Sequence, residues 1–299
     1  MISRIVLVTS LLLAAGMSDF AIAKGGAAAK RSTASYDRMP LTQARHYMVM
    51  LINYARQRAG LQPVALDPLA TIAAQKHADY LLSIGANGHY ELNGSKPVDR
   101  YNAVGGTDYV AENWGCTAAS AYARKPDPTA TFSREDIYGL MAMWMDSPLH
   151  RDNIVDKNRT HVGIGLSQAK EKNGIHGVQE FINKYGTISR IPLRITRGQS
   201  FPISGSLYGG YKFQAVVVMR EDFPKRMTEE EMNNTHSYTN GTESVTNVFP
   251  SASSGGSNFC ANVVSDKSWK PGMYYFFVWA INTRTNEKVP VSILTCGVF

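Results

Sequence analysis

The apolar residues of this chain change their spacing near Gly186, and that change decides the fold class. Before it, apolar side chains recur at three- and four-residue intervals, the period of a helix with one buried stripe. After about Ile188, short apolar runs alternate with turn residues: Ile191 to Ile195, Phe213 to Met219, Cys260 to Val264, Met273 to Ile281 and Val289 to Leu294. Only Thr228 to Met232 reads as helical there. About 110 residues of this kind is an ordinary size for a β-sandwich or barrel. The chain is expected to be α+β, with one domain over 41–186 and an all-β, sandwich-like domain over 187–299.

The first residues address the compartment. Arg4 supplies a positive charge, Ile5 to Met17 an apolar stretch, and Ala21-Ile22-Ala23 the small-x-small pattern of a cleavage site. That order predicts a secretory signal over 1–23. Residues 24–40, rich in Gly, Ala, Lys and Ser, read as a disordered lead-in. The apolar stretch falls short of the roughly 20 residues that span a bilayer, so no membrane span is expected in the mature chain. The expected location is outside the cytoplasm, extracellular or periplasmic. A net charge of +7, with no run of five or six basic residues, gives no reason to expect nucleic-acid binding. It suits weak attraction to anionic cell-surface polymers.

Helix signals come in order. Thr42 is a candidate cap for a helix with Met48, Leu51, Ile52 and Ala55 on its apolar side and Gly60 as its stop. Asp67-Pro68 opens a second helix by N-cap and first-turn proline, and Gly85 ends it. Its stripe is read as Leu69, Ile72, Ala73, Tyr80 and Ile84. Residues 86–131 carry Asn-Gly and Gly-Gly pairs and read mostly as a long loop, the kind that tends to be functional or disordered. Ser133 caps a third helix that buries Ile137, Leu140, Met141 and Trp144, and Ser147-Pro148 starts a fourth. Two strands follow, with Val162, Ile164 and Leu166 in the first and Val178 to Ile182 in the second.

Three cysteines remain after export. Cys260 and Cys296 each flank a β-like run and are the expected disulfide, with Cys116 left as a free thiol. No C-x-x-C occurs, which argues against a thiolate zinc site.

His89 follows the second helix, Glu112 lies in Ala111-Glu112-Asn113, and His150 sits in the first turn after Ser147-Pro148. Two imidazoles and a carboxylate can bind a divalent metal such as Zn²⁺ and leave positions for water. Alternatively, the imidazoles hold the metal and Glu112 takes a proton from metal-bound water. No H-E-x-x-H places two ligands on one helix face, so convergence depends on the fold.

Longer fragments tie these residues together. Leu51-Ile52-Asn53, Leu66-Asp67-Pro68-Leu69, His77-Ala78-Asp79, Gly88-His89, Asp99-Arg100 and Ala111-Glu112-Asn113 occur in that order. Trp144-Met145-x-Ser147-Pro148-x-His150-Arg151-x-Asn153-Ile154, Val162-Gly163-Ile164-Gly165 and Gln179-Glu180-Phe181 complete the series. The set resembles the bacterial branch of the CAP superfamily, which groups cysteine-rich secretory proteins, antigen 5 and pathogenesis-related proteins and is also called the SCP domain. The resemblance runs from about residue 42 to 186. It implies a CAP-type α-β-α sandwich around an antiparallel sheet, and a solvent-filled cleft holding two histidines and acidic residues that binds divalent metal in several members. It places His89 and His150 as the cleft histidines and Glu112 as the glutamate of the Glu-Asn motif. Where many members carry a further glutamate, this chain has Ser147, with Asp146 one residue earlier as an additional acidic candidate. Asn113 and Asn153 either support a histidine tautomer or bond loop backbone. His77, mid-helix, reads as structural, and Arg100 as part of a structural ion pair.

The expected function is ligand binding in this cleft, the ligand being a lipid, a peptide or a cell-surface component, with a divalent metal. Two alternatives stand beside it: a metal-assisted hydrolase with Glu112 as general base, and adhesion through the β domain, where Tyr274, Tyr275, Phe276, Phe277 and Trp279 crowd together.

Overall fold

Asp67 accepts the amide of Ala70 at 2.9 Å and Pro68 occupies the first helical position, so the second helix begins where the sequence predicts. It ends on Gly85 in the left-handed region. The structure is a computed structural model that describes residues 38–117, 123–171, 174–249 and 256–299. The expected signal over 1–23, the lead-in up to residue 37 and most of the Ser-rich stretch near 251–255 lie outside the described residues.

In chain order the first elements are β1 (Arg38–Pro40), α1 (Leu41–Arg58), β2 (Ala65–Leu66), α2 (Pro68–Ile84), α3 (Pro97–Ala103) and β3 (Tyr109–Cys116). Then come β4 (Thr131–Ser133), α4 (Arg134–Asp146), α5 (Pro148–Ile154), β5 (His161–Ser167) and β6 (His176–Asn183). Their main sheet has the order β2-β5-β6-β3, antiparallel except for the short β2–β5 pairing. On one face α1 and α4 bury Met48, Ile52, Ile137, Leu140 and Trp144 against Val162, Ile164 and Phe181. On the other, α2 lays Ala70, Ala73, Ala74 and Ala78 against Val178 and Ile182. The result is an α-β-α sandwich, as the resemblance implies.

The packing of α2 corrects the sequence reading. Its buried side is the alanine side, while Ile72 of the expected stripe is 45% exposed. The cause lies in β5. A Cβ on Gly163 or Gly165 would sit 2.1 Å from the backbone of Ala70 or Ala74. The helix therefore rests directly on the strand, at a separation only small side chains permit. Thr42 is also corrected: α1 starts one residue before it, after Pro40, and no side chain caps it. Arg56, fully buried in α1, bonds the carbonyls of Gln62, Ile154, Asp156 and Arg159, and so ties the helix to the chain that leaves α5.

Further along lie β7 (Gly186–Ile188), β8 (Arg194–Ile195), β9 (Ser200–Leu207), β10 (Tyr211–Glu221) and α6 (Glu229–Asn234). They are followed by β11 (Glu243–Val248), β12 (Asn258–Val264), β13 (Gly272–Asn282) and β14 (Lys288–Val298). Two sheets form, of order β11-β10-β13-β14-β8 and β12-β9-β7. Phe201, Ile203, Phe259 and Val263 from the smaller sheet meet Val216, Val218, Phe276 and Val278 from the larger in one core. The aromatic run on β13 is thus a buried central strand, with Tyr274, Tyr275 and Phe276 at most 1% exposed. The expected helical run from Thr228 forms α6, and a Thr228–Glu231 capping box starts it.

The expected Cys260–Cys296 disulfide does not form. Cys260 and Cys296 are each a free thiol. Along β12 burial alternates strictly, which puts Cys260 on the exposed face, whereas Cys296 is fully buried in the core on β14. Flanking a strand does not place a residue on its inner face; the period of two does that.

Candidate functional site

Residues 86–131, expected to be mostly loop, contain the strand that organises the site. Tyr109 to Cys116 form β3, which among the described residues is an edge strand paired only with β6. In that ladder Glu112 stands opposite Glu180, on the face that carries α2. The signal available in the sequence was the apolar run Val110-Ala111 leading to Trp114, which the surrounding turn residues mask.

Glu112 is the hub. Its side chain has no exposure, and Arg100 on α3 donates to its Oε2 at 2.6 Å. The Nδ1 of His89 lies 2.8 Å from its Oε1. Burial opposes ionisation, but Arg100, His77 and His89 outweigh it and hold the Glu112 carboxyl well below the usual range. An ionised carboxylate can only accept, so His89 donates from Nδ1 and its Nε2 is the nitrogen left for a ligand. Arg100 also bonds the carbonyl of His89 at 2.8 Å, fixing the backbone that presents the ring. His77 is structural as expected: fully buried, it bonds the carbonyl of Gly88 at 3.0 Å.

Glu180 belongs to the Gln179-Glu180-Phe181 fragment on β6. It is fully buried, and neither carboxyl oxygen finds a hydrogen-bond partner among the described residues. Burial, and then the charge of Glu112, push its proton affinity well above normal, so this carboxyl holds its proton where its neighbour does not.

His150, His89 and Glu112 line one hollow of about 630 Å³. Tyr109 to Glu112 of β3 form one side and Ser147, Leu149, His150 and Asn153 another. The third side is His236 to Asn240, a segment that follows α6 and comes from the β-rich part of the chain. Phe277 and Arg159 also line it. Tyr238 reaches in: its hydroxyl accepts the backbone N–H of Glu112 at 3.2 Å, and its ring lies 4.9 Å from that of His89. No local sequence signal points to Tyr238, because the contact spans 126 residues.

Burial, and then the charge of His89, lower the proton affinity of His150. Its Nδ1 is buried without a hydrogen-bond partner among the described residues. The hydrogen bonds of Asn113 and Asn153 go to backbone and to amide side chains rather than to an imidazole. Asn113 bonds the carbonyl of His150 at 3.0 Å and Asn153 bonds Asn113 at 2.9 Å, so the pair fastens α5 to β3. Asp146 is exposed at the end of α4 and does not line the hollow.

The donor set bears on a metal. Among the described residues no group of three or more His, Cys, Asp or Glu side chains is placed to hold one. Glu112 is committed to Arg100 and His89. The nitrogens open to a divalent ion are those of His89 and His150, one fewer than the three protein ligands of ordinary catalytic zinc sites. Carboxylate support for a ligating imidazole, here Glu112 behind His89, is the usual arrangement at such sites.

Helices on both faces of a small sheet, with a polar hollow at the β3 edge, define the class of domain. Residues 49–181 match the profile of the cysteine-rich secretory protein family, CAP. An extracellular protein containing an SCP domain from Bacillus anthracis str. Ames is 22% identical, over 48% of this chain and 41% of that chain, with a TM-score of 0.37. This chain thus spans about two fifths of the Bacillus protein's length. An outer surface protein from Borrelia burgdorferi is 14% identical, over 49% of this chain and 98% of that chain, with a TM-score of 0.40. No curated protein matches the chain. Among the described residues no helix is long and apolar enough to cross a membrane.

Proposed function

We propose that this is an exported CAP-domain protein that binds a ligand in the hollow between β3, α5 and His236–Asn240, without turning it over. The observation that carries this reading is the commitment of Glu112. A general base needs a free carboxylate within reach of the attacking water. Glu112 is ion-paired to Arg100, bonded to His89 and closed to solvent. Its chemistry is to orient His89, not to accept a substrate proton, and this favours binding over a hydrolase. Export rests on the signal-like residues 1–23.

A divalent cation would be held by His89 Nε2 and His150, with water or the ligand completing its shell. Two imidazoles predict weak, exchangeable binding. The test is a calorimetric Zn²⁺ titration of the wild type, His89→Ala and His150→Ala, together with a peptide-hydrolysis assay at saturating metal. The expected result is binding in the wild type, loss in both variants and no turnover. Metal-dependent cleavage by the wild type contradicts the reading.

A further inference from the structure

We infer that the hollow is shaped for an extended polypeptide carrying a tyrosine-like ring, and that His236–Asn240 is its built-in occupant. The inference rests on the ligand-binding reading above and names the class of ligand.

The site lies on an edge strand. The outward N–H of Glu112 is met by the Tyr238 hydroxyl, and the outward carbonyl of Glu112 by Asn153 at 3.3 Å. An open strand edge is a template for extended chain, and pockets beside it select side chains. What occupies this edge is itself a piece of polypeptide. The segment has no regular secondary structure, and His236, Ser237 and Thr239 are exposed while Tyr238 turns inward against His89. The carbonyl of Thr239 accepts from Lys96, which is 3% exposed. A buried lysine donating to a main-chain carbonyl is a contact that any peptide could make.

The hollow also lacks a free acid. Its carboxylate, Glu112, is neutralised by Arg100, and outside His236–Asn240 the other polar side chains on its wall are histidine, serine, asparagine, tyrosine and arginine. These are partners for peptide amides rather than for an ammonium or guanidinium group. Both ends of the segment are secured separately. On one side Met232 is fully buried beside Leu81 and Ala86, and its carbonyl lies 2.9 Å from where a Cβ on Gly88 would be. On the other, Gly241 donates to Glu221. The stretch between can leave the hollow without dismantling either anchor.

A tethered occupant competes at an effective concentration on the order of mM, so free peptide binds the wild type poorly. The test uses the full chain in EDTA and a fluorescein-labelled peptide of residues 234–242, with a control peptide bearing alanine for the tyrosine. Fluorescence anisotropy should show Tyr238→Ala binding the peptide at least tenfold more tightly than the wild type. The control peptide should bind at least tenfold more weakly. Tyr238→Phe, which keeps the ring and loses the hydroxyl, should gain several-fold, and it serves alone if the alanine variant does not fold. No gain in a folded variant overturns the inference and makes His236–Asn240 a fixed wall. Because EDTA is present, that result leaves the metal-binding reading of His89 and His150 to its own test.

Discussion

Glu112 and Glu180 stand opposite each other across the β3–β6 ladder, both closed to solvent, yet the carboxyl of Glu112 is pushed below its usual range and that of Glu180 above it. The difference comes from their partners. Glu112 has Arg100 and His89, whereas Glu180 has burial and the charge of Glu112. Two like carboxyls this close separate their proton affinities, and the one with the cation keeps the charge.

Removing the charge of Glu112 leaves Arg100 buried and uncompensated. Glu112→Gln is expected to lose about 3 kcal/mol of stability, the usual scale for breaking a buried pair. Thermal or urea unfolding measures it. Glu112→Gln combined with Arg100→Met should recover much of the loss. If the single variant unfolds like the wild type, the ion pair does not anchor this region.

Glu180→Gln should behave in the opposite way. The folded state holds the Glu180 proton more tightly than the unfolded chain does. Its contribution is therefore complete below the unfolded carboxyl value and is lost as pH rises through the higher folded value. Glutamine cannot ionise, so the variant should gain stability over the wild type as pH is raised above about 5. A gap in unfolding free energy that does not widen with pH counts against a protonated Glu180.

His176 gives a pH effect of known window. Its ring is 5% exposed on β6, and burial, with the nearby His77, lowers its folded value to about 4. The unfolded chain binds this proton first, so stability is present above about 6.5 and is lost as pH falls toward 4. The shift corresponds to about 3 kcal/mol. His176→Gln should flatten the acid limb of the stability curve between those values. A variant as acid-sensitive as the wild type would place the acid lability elsewhere.

The free thiols predict a plain result. Reductant should leave the midpoint of thermal unfolding unchanged, because no bond joins Cys260 to Cys296. Cys260, exposed on β12, should react quickly with a thiol reagent, and Cys296 only on unfolding. Burial pushes the Cys296 thiol up to about 12, which reinforces its inertness. A drop in the midpoint on reduction would show that Cys260 and Cys296 find each other after all.

Much of the fold is legible in local chemistry. Asp67-Pro68 and Gly85 bound α2 and Ser133 caps α4, because caps act within one turn, and the Thr228 to Met232 run marks α6. The alanine face of α2 is not legible, since it answers to Gly163 and Gly165 on a strand far along the chain. The site divides in the same way. His89, Glu112 and His150 stand out as residue types in a recognisable order. Glu180 stands in a recognised motif, but only the ladder register shows it facing Glu112. Tyr238 belongs to a part of the chain that sequence assigns to a separate β domain, and tertiary structure alone carries it to His89.

The central claim is that Glu112 fixes His89 so that Nε2 faces the ligand side. Ring ¹⁵N NMR of His89 during a Zn²⁺ titration at neutral pH tests it most directly. The account predicts an Nδ1 that stays protonated toward Glu112 throughout, while Nε2 and the His150 ring respond together to the metal. Metal arriving at Nδ1, or neither ring responding in the folded protein, contradicts it.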